Sequence, residues 1–591
     1  MRSGFRAVLT ASVAAALFIS LGVVPVQSLA KATAPSPDTS PSTVDAAARA
    51  VVTSERLPAP SPEEVGPLGK LPAKGVPKLD GILSQLALAQ AEGGSFRAQQ
   101  VAAANGVRVQ ENTVRVTLAA ANGSGAALRP VVLALGGQPE GDAEDLLQAR
   151  VPLEVLSLLA QDPAVRYVRL PLTAVPQAVT EGRSRMGIAS WEALAIRGKG
   201  AKIGIIDLGF SNVEALLGRE LPGQVTAKSF RDDQDLTGAG NDHGTAVAEV
   251  IHDIAPDAEL YLANFATEVE MSNAADWLVE QGVHIIASAV GFPGSGSGDG
   301  RGPINTIVRQ AREQGVLWVQ AAGNFANSHW AGVLTDPDGN GFHNFAPGDE
   351  GNTLILPISP SGGERIYKVE ITLTWDDWDC WCNDYDLFLL RGDAVVAQST
   401  SWQNGSAPPQ ERISFVTPIP GRYWIAIQRF RAARRANLDL FVNVDYDLEY
   451  REPRHSLVIP ADSPHALTVG AVALDDAGVR PYSSQGPTRD GRIKPDLLAP
   501  DGVSTETYGS LGFTGTSASV PHVVGGAALM KSQRPTLTAG ELQLLLESRA
   551  RRLGNTTKTP VVGWGSLFLG DPLPGALLPL IFRQSPVPPL P

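Results

Sequence analysis

Three strongly apolar, β-branched runs dominate one stretch of this chain: Ile203–Ile206, Val283–Val290 and Val316–Ala322. Strands this apolar must be covered on both faces, which is the condition of a parallel sheet with helices packed on either side. Helical patterns lie between the runs, as the long crossovers of parallel strands require. From Gly198 onward the sequence therefore predicts an α/β unit, and such sheets gather their chemistry at the carboxyl ends of the strands.

The whole chain has 591 residues, enough for about four units at roughly 150 residues each. A hydrophobic fraction of 43% and a charged fraction of 18% exclude wholesale disorder, and 60 Gly with 45 Pro indicate many turns and some linkers without a collagen repeat. With 48 Lys and Arg against 61 Asp and Glu the net charge is −13, which repels phosphate backbones and anionic lipid surfaces and excludes nucleic acid as a partner. The two cysteines, Cys380 and Cys382, cannot build a disulfide framework or a four-cysteine zinc site; paired, they close only a tight local loop.

Residues 1–30 read as a secretory signal peptide: Arg2 and Arg6, an uncharged run Val8–Val24, then Ser28-Leu29-Ala30 at cleavage spacing. Thr10, Ser12, Ser20 and Gly22 dilute a run already short for a membrane anchor, and no later stretch reaches about 18 apolar residues. The expectation is a secreted, extracellular protein with no membrane span in its mature form. Residues 31–78 are rich in Pro, Ala and Ser and read as a linker. Residues 79–180 form a small α+β unit: a helix Leu79–Ala91, strands Val107–Ala120 and Leu128–Leu135, a helix Pro152–Gln161 and a strand Val165–Leu170. From Ile366 to Val444 the pattern turns to aromatic, period-two strands (Val369–Trp375, Tyr385–Leu390, Tyr423–Ile427, Leu438–Val444), the sign of an antiparallel β-sandwich. Helices resume at Ser517–Met530 and Thr538–Arg549, and residues 571–591 form a Pro- and Leu-rich irregular tail.

Three residues suited to nucleophilic catalysis stand at predicted strand or helix ends. Asp207 closes the run Ile-Gly-Ile-Ile-Asp; alone it reads equally as a turn former. His243 lies in Asn-Asp-His-Gly-Thr, just before a helix, where a structural histidine is the plainer reading. Ser517, in Gly-Phe-Thr-Gly-Thr-Ser-Ala-Ser-Val-Pro-His, opens a helix and could simply cap it. Together on one sheet edge the three suffice for acyl transfer.

Asp-Leu-Gly, His-Gly-Thr and Gly-Thr-Ser-Ala-Ser-Val-Pro-His, in the order Asp, His, Ser, resemble the subtilisin-like serine proteases, the subtilases of peptidase family S8. The resemblance implies a secreted serine endopeptidase acting on proteins or peptides through Asp207, His243 and Ser517. Asn324, in Ala-Ala-Gly-Asn, falls where subtilases place the amide of the oxyanion hole. Leu208 departs from the usual Ser or Thr and removes a hydroxyl donor near Asp207; Ala289-Val290-Gly291 stands where Ser-Leu-Gly is common, and Ser519 where Ala is. From Asn324 to Ser517 there are 193 residues, too many for a compact member. The excess coincides with the sandwich, so residues 335–454 read as an insert, resembling prepeptidase-C-terminal-like jelly-roll modules, between two parts of a catalytic domain, 181–334 and 455–570. The insert invites a surface or protein partner. Residues 79–180 take the place of a subtilase propeptide, with cleavage expected between Pro176 and Ile188. The chemistry needs no cofactor. Structural calcium is admitted by Asp336-Pro-Asp-Gly-Asn-Gly and by Asp376, Asp377, Asp379, Asp384 and Asp386, each also readable as a charged turn or rim. The rival reading is a catalytically inactive subtilase fold serving as a secreted binding module.

Overall fold

A computed structural model describes residues 75–105, 107–171, 182–357, 365–432, 434–444, 447–475, 478–554 and 557–572. The expected signal peptide, the linker up to residue 74, the cleavage stretch as far as residue 181 and the tail beyond residue 572 lie outside the described residues.

The N-terminal unit folds a long helix, Gly81–Ala104, onto a five-stranded sheet built mainly from Thr113–Ala120, Leu146–Pro152 and Val165–Arg169. Asp80 caps the helix, its Oδ1 accepting from Leu83 N at 2.7 Å. Leu79, just before the helix, and Leu83 and Leu86 on it bury against Val116, Leu118, Leu147 and Val168 on the sheet. The strand expected at Leu128–Leu135 is instead a short helix, Arg129–Ala134, with Pro130 in its first turn. Proline's fixed φ and missing N–H suit that position, and they outweigh the β-propensity of the two valines that follow.

The second unit, expected from sequence to be catalytic, is built on a nine-stranded sheet. Its strands are β1 (Lys202–Asp207), β2 (Thr226–Ser229), β3 (Glu259–Asn264), β4 (Ile285–Ser288), β5 (Leu317–Ala321), β6 (Ala466–Ala473), β7 (Leu497–Asp501), β8 (Ala550–Arg551) and β9 (Ser566–Leu567). Their spatial order is β8-β9-β7-β6-β5-β4-β1-β3-β2, and all neighbours are parallel except β8 and β9. Five helices cover it: α1 (His243–Ile254), α2 (Glu268–Glu280), α3 (Pro303–Glu313), α4 (Thr516–Gln533) and α5 (Ala539–Ser548). Because strand side chains alternate, Ile203 and Ile205 bury on one face against Val250, Val523 and Val524 of α1 and α4. Ile206, with Ile286 and Trp318, buries on the other face against Met271, Leu278 and Val308 of α2 and α3. The apolar runs thus became the doubly covered strands that their composition demands.

Between β5 and β6 the chain leaves the sheet and forms two four-stranded antiparallel sheets packed face to face. One holds His329–Val333, Asn437–Asn443, Tyr367–Trp375 and Gln410–Thr417; the other holds Asn352–Leu356, Gly421–Arg431, Asp384–Arg391 and Ala394–Ser399. Val369, Ile371, Leu373 and Leu440 meet Leu354, Leu387, Leu389 and Ile425 in the core between them. Cys380 and Cys382 are joined as a disulfide.

The sandwich also grips the N-terminal unit: Gly75 N donates to Thr400 O at 3.2 Å, Gln85 Nε2 to Gln398 O at 3.0 Å, and Trp402 Nε1 to Gly75 O at 2.9 Å. Where the three units meet, a cavity of about 400 Å³ is lined by Asp80, Arg115, Tyr167, Ala266, Arg412 and Phe441 among others. Burial there, reinforced by Arg169, pushes the Arg412 guanidinium down to about 10.

Candidate active site

Asp207 ends β1 and is completely buried. Its carboxylate is held by a backbone donor: Leu208 N–H points at Oδ1 across 2.7 Å. Leu208 brings no side-chain hydroxyl, and the donor seen here is its main chain, which any residue at this position would supply. His243 opens α1 with its N–H on Asn241 Oδ1 at 3.0 Å. Its Nδ1 lies 2.8 Å from each oxygen of Asp207. Gly244 allows this approach, because a Cβ there would sit 2.6 Å from the Phe210 ring and 2.7 Å from Gly209 O. Gly244 N donates to Gly209 O at 3.0 Å and Thr245 Oγ1 to Ser211 O at 2.7 Å, which stitches the start of α1 to the end of β1.

Ser517 is the second residue of α4 and is also fully buried. Gly515 precedes the helix at φ +140, a backbone conformation that favours glycine, and its N–H is fixed on Asp501 Oδ1 at 2.5 Å. Ser517 Oγ donates to the Ala289 carbonyl at 2.5 Å. Since Ile206 and Ser288 are paired in register, Ala289 leaves β4 beside Asp207, so the hydroxyl sits at the strand end next to the Asp–His pair. Asn324, just past β5, accepts from Thr516 N at 3.0 Å through Oδ1. That donor occupies the amide oxygen and leaves the NH₂ end for another acceptor. Thr516 Oγ1 in turn accepts from Gly323 N at 3.1 Å, locking the end of β5 to the start of α4.

A hairpin, Val503–Thr505 with Gly509–Phe513, leans on His243. Phe513 meets the imidazole edge-on at 5.7 Å, Tyr508 stacks on Phe513 at 4.7 Å, and Tyr508 OH donates to Asp242 Oδ1 at 2.7 Å. Burial, with the nearby charges of Asp242 and Asp207, raises the Tyr508 phenol, so it remains a donor. The turn of the hairpin rests on Glu249 of α1, whose Oε2 accepts from Glu506 N at 2.8 Å; burial pushes this carboxyl up to about 7. A second histidine, His522 on α4, shares its Nδ1 hydrogen with Ala518 O at 2.6 Å and is pushed down to about 4 by burial, so it stays neutral and is no rival base.

Thr516 and the main-chain roles of Ala289 and Leu208 were not singled out from sequence. Thr516 precedes the serine in a quoted motif and could have been; the other two act through main-chain atoms that no residue type announces.

The acids considered for calcium are engaged by protein groups. Asp336 pairs with Arg429 at 2.6 Å and accepts from Gly341 N, and Asp338 accepts from Asn340 at 3.0 Å. Asp376 pairs with Arg434 at 3.0 Å, Asp379 with Arg301 at 3.2 Å, and Asp377 accepts from Cys382 N and Asn383 N. Among the described residues, the carboxylate and sulfur atoms that converge are those of Asp377, Cys380 and Cys382, and the two sulfurs are joined to each other.

A strip of ion pairs fastens the N-terminal unit to α2 and its approach. Arg115 reaches Glu270 at 2.5 Å and Asp232 at 3.6 Å, Arg169 reaches Glu268 at 2.5 Å, and Arg150 pairs with Asp232. Burial raises the Glu270 carboxyl, and Arg115 opposes that rise.

The family model described as "Subtilase family" matches residues 198–352 and 449–565, and the break between the two stretches falls within the sandwich. Over these two stretches the chain is similar to the subtilase family. Among curated subtilases it is similar to bacillopeptidase F of Bacillus subtilis (strain 168), with 29% identity over 247 residues, covering 40% of this chain and 16% of that protein. The alkaline protease of Alkalihalobacillus alcalophilus shows 26% identity over 196 residues, 30% of this chain and 49% of its own length. Subtilisin E of Bacillus subtilis (strain 168) shows 39% over 103 residues, 16% and 24% respectively. The chain thus spans half or less of the length of these relatives. A solved structure, that of the Clostridium perfringens CspB protease, overlaps 68% of this chain and 100% of its own, with 15% identity and a TM-score of 0.49. No described helix is long and apolar enough to cross a membrane.

Proposed function

We propose that the chain is a secreted serine endopeptidase, made as a precursor and trimmed at its own active site. The observation that carries the reading is the contact of His243 Nδ1 with both Asp207 oxygens at 2.8 Å, at the strand ends that also hold Ser517 and Asn324. Asp207 keeps a proton on Nδ1, so Nε2 is the acceptor. Ser517 Oγ turns from the Ala289 carbonyl toward that nitrogen, gives up its proton and attacks the substrate carbonyl. The oxyanion that forms is held by the NH₂ of Asn324 and the N–H of Ser517. His243 then protonates the leaving amine, water enters by the same base, and the acyl-enzyme is hydrolysed. No cofactor takes part, and calcium, if bound, is structural.

The precursor reading rests on the signal-like N-terminus and on the ion pairs that hold residues 79–180 against α2. The test is the intact mass of the secreted protein and of Ser517→Ala, with a fluorophosphonate probe on both. Removal of the nucleophile is expected to cost about 10⁶ in turnover, a figure taken from a subtilisin. The wild type should lose its N-terminal 176 to 188 residues and be labelled, and the variant should do neither. An untrimmed, unlabelled wild type would return the chain to the class of binding proteins.

A further inference from the structure

Two strand ends beside the nucleophile carry no side chain. Gly291 lies two residues beyond Ala289, whose carbonyl holds Ser517 Oγ, and Gly323 directly precedes Asn324. Two extended residues span about 7 Å, roughly the reach of a leucine or phenylalanine side chain. Bare glycines on both sides would leave a slot of that depth for the side chain of the residue whose carbonyl Ser517 attacks.

Here the slot is filled from within. A Cβ on Gly291 would lie 2.5 Å from one γ-methyl of Val458, and a Cβ on Gly323 would lie 2.8 Å from the other. The valine has nowhere to retreat. Its N–H donates to Ala322 O at 3.1 Å, and the next carbonyl, that of Ile459, accepts from Phe292 N at 2.7 Å, so the segment is tied to both strand ends. Behind it stand Phe325 and Phe441, packed edge to face at 5.7 Å. Phe441 belongs to the sandwich, which therefore braces this floor from outside the catalytic unit. Val458 itself is 3% exposed.

We propose that Val458 determines the specificity of this site by making the pocket shallow. The residue at the cleaved carbonyl is then glycine, alanine or serine, while leucine, phenylalanine, lysine and arginine are shut out. The inference rests on the endopeptidase reading above and adds the substrate class. Exclusion of a side chain several methylenes too long amounts to about 100-fold or more in reaction rate.

The test uses the full chain and two peptidyl diphenyl phosphonates that differ only in alanine or phenylalanine at the reacting end, with a small fluorophosphonate as control. In the wild type the alanine ester should react at least about 100-fold faster. Val458→Gly should raise the phenylalanine rate at least about tenfold relative to the alanine rate of the same variant; Val458→Ala, which removes less of the core, should move in the same direction to a smaller extent. Equal rates for the two esters in the wild type, reaction with neither ester despite labelling by the control, or a ratio unchanged in both variants would overturn the role of Val458. Failure of the control probe to label would overturn the endopeptidase reading, and this inference with it.

Discussion

Asp207→Asn puts the Asp–His pair to its strictest test. In the native site two N–H groups face this side chain: Leu208 N–H at 2.7 Å and His243 Nδ1 at 2.8 Å from each oxygen. An amide offers one oxygen to serve both. The Leu208 amide is fixed by the strand end and cannot turn away, whereas the imidazole can move its proton from one ring nitrogen to the other. The asparagine oxygen therefore goes to Leu208, its NH₂ faces Nδ1, and Nδ1 must become the acceptor. Nε2 then carries the hydrogen and cannot take the proton of Ser517. A triad held in the wrong tautomer loses about 10⁴ in turnover, which is about 5.4 kcal/mol of barrier at about 1.36 kcal/mol per factor of ten. Volume and the Leu208 bond are retained, so the melting temperature should move by less than about 3 °C, the equivalent of about 1 kcal/mol in a unit of this size. The assay is the second-order rate of fluorophosphonate labelling beside a thermal melt. Labelling within about tenfold of the wild type, with the melt unchanged, would refute the tautomer argument.

Arg115→Ala leaves Glu270 facing the domain contact without its cation, while Asp232 keeps Arg150, at a cost of about 3 kcal/mol. Amide exchange in Thr113–Ala120 and Leu146–Pro152 should then quicken by about 100-fold while β5 and β6 of the catalytic sheet keep theirs, and a change under about fivefold would sink the clamp. Glu249→Gln addresses pH. The folded carboxyl titrates at about 7, above its ordinary value of 4.5, so the native state binds the proton more tightly than the unfolded chain. This group's stabilising contribution is complete below its unfolded value and is lost as pH rises through about 7. Melts of wild type and variant should therefore diverge from pH 5 to pH 8 in favour of the variant; parallel curves would show that the burial of Glu249 is relieved by some other means.

The sheet and the positions of Asp207, His243, Ser517 and Asn324 were legible because each depends on residue type: β-branched runs can be covered only on both faces, and the motif residues carry the functional groups themselves. Where the reading failed, the deciding groups were backbone atoms or polar burial. Leu208 carries no hydroxyl donor, and the bond its amide gives the aspartate is one that no residue type announces. The strands Ala394–Ser399 and Gln410–Thr417 were missed because their buried positions mix polar with apolar side chains: Ile413 joins the core, yet Gln410, Glu411 and Thr417 are buried beside it. Glu411, 1% exposed, accepts from Ser401 N at 2.6 Å and Gln403 Nε2 at 2.8 Å, so a carboxylate satisfied by neighbours takes the place of an aliphatic side chain. At Leu128–Leu135 a single proline decided between helix and strand, and the valines after it suggested the wrong one.

The way the sandwich begins and ends bears on how the chain comes to be folded at all. β5 and β6 are adjacent parallel strands of the central sheet, yet the sandwich lies between them in sequence. Its first strand, His329–Val333, is hydrogen-bonded along its length to its last, Asn437–Asn443. Once the sandwich has formed, its own pairing returns the chain to within a strand's width of where it departed, and a long loop becomes a short one. As the chain emerges from its N-terminus, the first five strands of this sheet precede the sandwich, and the edge of β5 that pairs with β6 stays open until β6 has been made. The serine helix, which follows β6 and β7, is made only after every residue of the sandwich.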